Sequence, residues 1–449
     1  MSVSTLITPQ RKASADRVPF TVIDQAVHLL DTPAEPWSIQ LEIWLRGHVD
    51  EDRFRAAVRS AVAAHPMARA RLLPARRSER TWWWEIAPDL DLDPVRVVTC
   101  LDDASLAAVR DELYSRQVPL VEAPPFRLVL AHREEGDVLL LNAGHTAFDG
   151  FGCVRLLQSV ARRYAERQDP EPGVGLEEAR DVERHLAAPD RATRTRRLRL
   201  LASKVTDMVR RPTRMAAEGG FDEPGYGLHL LALTEEQTGQ LAASDATIND
   251  LLVAGLMRAV AGWNEEHGQE AGRISLMVPV NLRPKEWQQD VVTNMVLETR
   301  ILTTPEQRAD GRRLLAAVTA QSERIKRGAG AALVEVLGWW TSLPLWSKQP
   351  LNALVDLTGN RLVCTALISN LGKLGDPPDF GPDGGATSAM WFSAPARMPS
   401  GLSVGAVTVG GRLHLAFRYR KPLLGDQAAR HLAERFVREL ADMAALDAG

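Results

Sequence analysis

Apolar and polar positions follow two rhythms along this chain, and the rhythms replace each other repeatedly. From Ser38 to Leu45 the residues Ile39, Leu41, Ile43 and Leu45 fall at every second position, the period of a strand with one buried face. Gly47 closes it. Asp50 then opens an amphipathic helix with Phe54, Val58, Ala61 and Val62 on its inner face, and Pro66 ends it. Trp82 to Trp84 sit in a β-rich run, and Ala104 to Gln117 has a helical pattern. Phe126–Ala131 and Val138–Asn142 read as strands joined by the polar turn His132–Asp137. Phe151–Gln168 reads as a helix that stops before Pro170 and Pro172.

The Pro- and Gly-rich stretch Asp169–Gly175 marks a boundary. Between Arg191 and Arg214 lie nine basic residues and one acid, Asp207, with Leu198, Leu201, Val205 and Met208 at helical spacing. A crossover helix with a solvated basic face is expected there. The alternation resumes near Gly225. Strands are predicted at His229–Leu233, Ile274–Val280, Val291–Leu302, Val363–Ser369, Ser403–Val409 and Leu413–Tyr419. Helices are predicted at Thr234–Ala242, Thr247–Trp263, Glu306–Arg327 and Asp426–Leu446, Asn249 being read as the cap of the second. Ala331–Leu357 is apolar and interrupted by Pro344 and Pro350; buried packing is expected for Val334–Trp346 with its Trp339, Trp340 and Trp346. The organisation is an N-terminal lobe at 1–175, a basic crossover linker at 176–224 and a C-terminal lobe at 225–449. The lobes are similar α/β units without a residue-level repeat.

Composition narrows the class. A chain of 449 residues could hold about three domains, which the pattern reduces to two lobes. Its 45% apolar and 25% charged residues are those of a globular protein. Lys and Arg number 54 against 57 Asp and Glu, so nothing demands nucleic acid or an anionic membrane. Cys100, Cys153 and Cys364 form no metal or disulfide pattern. No apolar run approaches the ~20 residues of a membrane span, and the first residues lack the apolar core of a secretory signal. A cytoplasmic location is expected. No Walker loop, dinucleotide fingerprint or HExxH is present, so the chemistry falls to side chains, with no bound cofactor or metal expected.

One segment carries that chemistry. Val138-Leu-Leu-Leu-Asn-Ala-Gly-His145-Thr-Ala-Phe-Asp149-Gly150 runs an apolar strand into a tight turn before a helix. His145, just past the strand end, can accept a proton near neutral pH as a general base does. Asp149 can fix the turn by pairing with a cation, and Gly150 lets the backbone turn tightly.

Gly-His145-Thr-Ala-Phe-Asp149-Gly150 resembles the HHxxxDG motif of nonribosomal peptide condensation domains and of the wax ester synthases, polyketide-associated acyltransferases and plant-type HxxxD acyltransferases. Other stretches agree in order: Phe20–Asp24, Ala64-His65-Pro-Met-Ala-Arg69-Ala-Arg71-Leu72, Thr247-Ile-Asn249-Asp250, Val278-Pro-Val-Asn281-Leu-Arg283 and Ser369-Asn370-Leu-Gly372. The likeness spans most of the chain and is weakest at 170–225. Gly144 stands where the motif has its first His. Asp379-Phe-Gly381 is similar to a plant-type segment, although Pro382 and Asp383 break the match and a loop is expected.

The resemblance implies a chloramphenicol-acetyltransferase-like fold: two similar lobes in a pseudo-dimer around a central tunnel. It implies an acyltransferase in natural-product or lipid biosynthesis, taking its acyl group from acyl-CoA or an acyl carrier protein. A small-molecule hydroxyl or amine would accept it, and the chain would act as a monomer. His145 would be the base and Asp149 a structural carboxylate, with Arg69 as its candidate partner and Arg71, Arg127 and Arg283 as competitors. Asn281, Ser369 and Asn370, at predicted strand ends, are candidate oxyanion donors. Two other readings stand beside this one: a non-catalytic carrier-protein recruitment module, and a condensation-fold enzyme performing cyclisation or elimination.

Overall fold

The computed structural model describes residues 16–171, 173–188, 190–208, 211–218, 225–287, 290–348, 361 and 363–447. The first half begins with β1 (Asp16–Pro19) and α1 (Val22–Leu30), the helix capped by the Thr21 hydroxyl on the Asp24 N–H. β2 (Ser38–Leu45) is the alternating strand, and α2 (Glu51–Ala64) starts where Asp50 accepts from the Arg53 N–H. β3 (Ala70–Leu72), β4 (Trp83–Ile86), β5 (Val95–Thr99), α3 (Asp103–Tyr114), β6 (Phe126–His132), β7 (Val138–Gly144) and α4 (Gly150–Tyr164) follow.

β2, β7, β6 and β5 lie side by side in one sheet. α2 and α4 bury one face of it, Phe54, Val58 and Leu156 sharing a core with Leu41 and Leu139. α3 covers the other face through Leu106 and Tyr114 against Val129 and Leu140. Burial on both faces explains why Val138–Leu141 is continuously apolar. β1, β4 and β3 form a small separate sheet.

The linker carries α5 (Arg191–Met208), and the second half contains β8 (Tyr226–Ala232), α6 (Ile248–Glu266), β9 (Ile274–Asn281), β10 (Val296–Thr303), α7 (Gly311–Arg324) and α8 (Gly330–Thr341). β11 (Ala366–Lys373), β12 (Thr387–Ser393), β13 (Leu402–Val409), β14 (Arg412–Arg420) and α9 (Asp426–Asp447) complete it. Six of these strands make a sheet in the order β10-β9-β11-β13-β14-β8. Leu256 of α6, Leu314 of α7 and Phe436 of α9 pack on its Leu276, Val404 and Phe417. Both lobes are mixed α/β layers, the chloramphenicol-acetyltransferase-like class.

The structure corrects several expectations. β12 lies within the 225–449 stretch, yet it pairs antiparallel with β2 and forms an edge of the first sheet. Next to that crossing β13 passes so close that a Cβ on Gly405 would stand 1.8 Å from the Phe392 carbonyl oxygen. The helix expected at Glu306–Arg327 is broken, because Asp310 caps a new start at the Arg313 N–H and Gly328 turns to φ +122°. The cap of α6 is Thr247, whose side chain accepts from the Asp250 N–H; Asn249 is already inside the first turn. Packing holds for Val334, which is buried, but Trp339 and Trp346 are 76% and 61% exposed. Pro350 and 351–357 lie outside the described residues. No described helix is long and apolar enough to cross a membrane.

Candidate active site

β7 delivers its last residue, Gly144, into a turn: the Gly144 carbonyl accepts from the N–H groups of Ala147 and Phe148 at 3.0 and 3.2 Å. His145 follows, its N–H on the Trp37 carbonyl at 3.2 Å. Its ring Nδ1 lies 2.8 Å from the Phe148 carbonyl oxygen. A carbonyl only accepts, so Nδ1 carries the proton and Nε2 keeps the lone pair. Burial holds the imidazole below its ordinary pKa, with the Asp149 charge pulling the other way. The ring is therefore a neutral base.

Asp149 caps α4, one carboxylate oxygen accepting from the Gly152 N–H at 2.9 Å. The other accepts from Arg283 Nη1 at 2.5 Å and from the Met295 N–H at 2.7 Å. Both partners come from the second lobe. Arg283 Nη2 in turn donates to the carbonyls of Val291 and Thr293 at 3.2 and 2.8 Å. Asn294 donates its side-chain N–H to the His145 carbonyl at 2.7 Å. The turn that presents the base belongs to lobe one but is held by lobe two. Gly150 sits where the lobes meet: a Cβ there would lie 2.6 Å from Leu371 Cδ2 and 3.0 Å from Phe392 Cε2.

Arg69 is not the partner of Asp149. Its guanidinium donates to the Ala87 carbonyl at 2.9 Å, from the short turn just before β3. Arg71 is taken by Glu85 and Asp91, and Arg127 by Glu122 and nearby carbonyls. The strand expected at Val291–Leu302 begins only at Val296; ahead of it the carbonyls of Val291 and Thr293 accept from Arg283 and the Met295 N–H donates to Asp149.

A narrow cavity of about 60 Å³ lies between the lobes. β9 and β11 pair at only two positions, Leu276 with Ala366 and Met277 with Leu367, and then part. Pro279, two residues on, has no N–H with which to continue a ladder. The cavity opens there, with His145, Asp149 and Gly150 on the first lobe's side and Asn281, Ser369 and Asn370 on the other. Six positions proposed from the sequence thus meet at one place. The Asn281 side-chain oxygen Oδ1 accepts from the backbone N–H of Arg283 and that of Asn370 from the Gly372 N–H, which leaves each side-chain amide its N–H donors. Asp379–Gly381 is elsewhere, Phe380 packing against Phe54 and Tyr164.

The sequence reading missed Thr293 and Met295, which act through backbone groups that leave no pattern to find, and Asn294, which acts through its side-chain amide. It also missed Glu298, which lines the cavity. A lone carboxylate in the apolar alternation of β10 was the available signal.

No protein-family model matches the chain. It is 34% identical over 416 residues to the uncharacterized protein Rv2305 of Mycobacterium tuberculosis, an alignment spanning 91% of this chain and 95% of that one. The two belong to one family. A more distant likeness, 24% over 229 residues, links 49% of the chain to 3% of tyrocidine synthase 3 of Brevibacillus parabrevis. Among solved structures, the first condensation domain of the calcium-dependent antibiotic synthetase superposes with a TM-score of 0.71 at 18% identity, covering 97% of this chain and 98% of its own. The starter condensation domain of rhizomide synthetase, in complex with C8-CoA and Leu-SNAC, gives 0.66 at 14% identity over 96% and 94%. The family of Rv2305 is thus built on the condensation-domain fold.

Proposed function

We propose that this protein is an acyltransferase that moves an acyl group from a thioester, acyl-CoA or an acyl carrier protein, to a hydroxyl or amine of a small molecule. One observation carries the reading: the Nδ1 proton of His145 is committed to the Phe148 carbonyl, which leaves Nε2 as a proton acceptor at the inter-lobe cavity. The fold supports the same chemistry, and a mutant of the rhizomide domain of that fold is in complex with C8-CoA and Leu-SNAC.

In this reading His145 Nε2 takes the proton of the acceptor as its oxygen or nitrogen attacks the thioester carbonyl carbon. The carbonyl electrons move onto oxygen, where side-chain donors of Asn281, Ser369 and Asn370 would stabilise the charge in a water-poor site. Collapse breaks the carbon–sulfur bond, and the thiolate recovers the proton from His145. Ester or amide and free thiol result. Asp149 holds the turn and touches no reacting atom. The acyl donor is a co-substrate, and no resident cofactor is required.

The test is thiol release and product mass across acyl-CoAs and acyl carrier proteins, with panels of alcohols and amines. An acceptor whose mass rises by the acyl group, formed by wild type and lost in His145→Ala, is the expected result. An isomerised or dehydrated product without acyl gain would replace this reading by cyclisation or elimination. Carrier-protein binding without thioester consumption would replace it by recruitment.

A further inference from the structure

Asp149 and Glu298 both line the cavity, and they differ in one respect. The Asp149 carboxylate is matched by Arg283 and two backbone N–H groups. No described residue donates a hydrogen bond to the Glu298 carboxylate or forms an ion pair with it. It stands on β10 opposite Pro279, on the strand face it shares with Val296, and both neighbours also line the cavity. Leu367, Leu371 and Phe392 complete an apolar wall. Glu298 is half-buried and lines this space, and burial pushes its carboxyl up to about 7.

A carboxyl group without a partner in such surroundings is costly when charged. The cavity's other charges are settled: Asp149 is neutralised by Arg283, and His145 is a neutral base. Only Glu298 lacks a counter-charge, and the missing charge is positive. We propose that Glu298 is an acceptor-binding group that selects acceptors carrying a protonated amino group in addition to the hydroxyl or amine that is acylated: amino alcohols and diamines. Such a ligand brings its ammonium to Glu298 while its nucleophile lies at His145 in the same cavity. A ligand with a carboxylate there meets repulsion, and a plain alkyl alcohol leaves Glu298 uncompensated.

This inference rests on the acyl-transfer reading, so two measurements separate them. The first needs no acyl donor: calorimetric titration of wild type and Glu298→Gln with a linear amino alcohol and with the diol of equal length. Wild type is expected to bind the amino alcohol at least about tenfold more tightly than the diol, since an exposed-to-buried ion pair of 1.4 kcal/mol or more corresponds to that ratio. Glu298→Gln should lose the preference, and Glu298→Asp should keep part of it. Equal binding of amino alcohol and diol by wild type overturns the proposal whatever the variants do. The second compares kcat/KM for the same two acceptors with a fixed acyl-CoA or acyl carrier donor. The amine-over-diol ratio should collapse in Glu298→Gln, chiefly through KM; an unchanged ratio overturns the proposal. If no acceptor is acylated by wild type but the binding preference stands, the acyl-transfer reading fails and the Glu298 site survives.

Discussion

His145 has one nitrogen for structure and one for chemistry. With Nδ1 fixed on the Phe148 carbonyl, the ring cannot turn without leaving a buried donor unmatched. Removing the imidazole in His145→Ala should lower kcat by about 10² to 10⁴, the usual contribution of general-base catalysis, with the circular dichroism spectrum unchanged and the melting temperature lowered modestly by the unmatched Phe148 carbonyl. Near-normal turnover in that variant would exclude the role. The same burial gives a pH signature. The imidazole is held below its ordinary 6.5, so it remains neutral and able to accept a proton in mildly acidic solution. In Glu298→Gln, where the cavity's other titrating group is gone, the acid limb of the kcat/KM profile is therefore expected below 6.5, and a limb above it in that variant would contradict the assignment.

Glu298 shifts in the opposite sense, and the sign carries a stability prediction. The folded state holds the Glu298 proton up to about 7, whereas the unfolded chain releases it near the ordinary 4.5. Folding stability linked to this group is therefore fully present below 4.5 and lost as pH rises through that window, at about 1.4 kcal/mol per pH unit. Glu298→Gln has no proton to lose. Its melting temperature should pull ahead of wild type between pH 5 and 8, and parallel melting curves over that range would show that the carboxylate is compensated after all.

At the level of elements, the decisive contact joins the N-terminus of α4 to the irregular stretch before β10. Asp149 and Arg283 are 134 residues apart and almost fully buried. Truncating either partner strands the other's charge. Asp149→Ala and Arg283→Met should each cost about 3–5 kcal/mol in denaturant unfolding and lower activity together with stability. Arg69→Ala removes a bond to one backbone carbonyl and should cost about 1 kcal/mol. If Arg69→Ala proved the more damaging change, the pairing described above would be wrong.

The same contact marks where sequence reading worked and where it stopped. Periodicity revealed β2 and α2 because burial imposes a two-residue or near-four-residue rhythm on side chains, and β7 showed as a short, continuously apolar run. The turn at His145 was legible because a histidine directly follows an apolar strand. Asn281 and Ser369 came through the family resemblance, and only Asn281 ends its strand, since Ser369 lies inside β11. Val291–Met295 was misread as strand since its apolar residues fit the rhythm. Its backbone bonds to Arg283 and Asp149 leave no trace in side-chain order. Choosing Arg69 over Arg283 failed for a related reason, since only the folded chain decides which cation meets a carboxylate across lobes.

At the scale of the molecule, the lobes are not separable units. β12 comes from the second half of the chain, pairs with β2 from Gln40 to Leu45, and covers what would otherwise be the open edge of the first sheet. An uncovered edge presents a row of unused N–H and C=O groups to any other strand. That edge would be long and apolar, for Ile39, Leu41, Ile43 and Leu45 alternate along it. Lobe one would also lose Arg283 from Asp149 and Asn294 from the His145 carbonyl. A fragment comprising residues 16–218 should therefore aggregate when expressed alone. Coexpression with residues 219–449 should recover soluble complex, because the missing strand and the missing cation arrive on the same chain. Extending the fragment is not enough: residues 16–348 supply Arg283 and Asn294 but not β12, and should remain aggregation-prone by light scattering. If 16–348 stayed soluble and monomeric, the edge cover would matter less than the buried ion pair. If 16–218 did so as well, the lobes would be independent folding units, and the site between them would be assembled by docking rather than by shared strands.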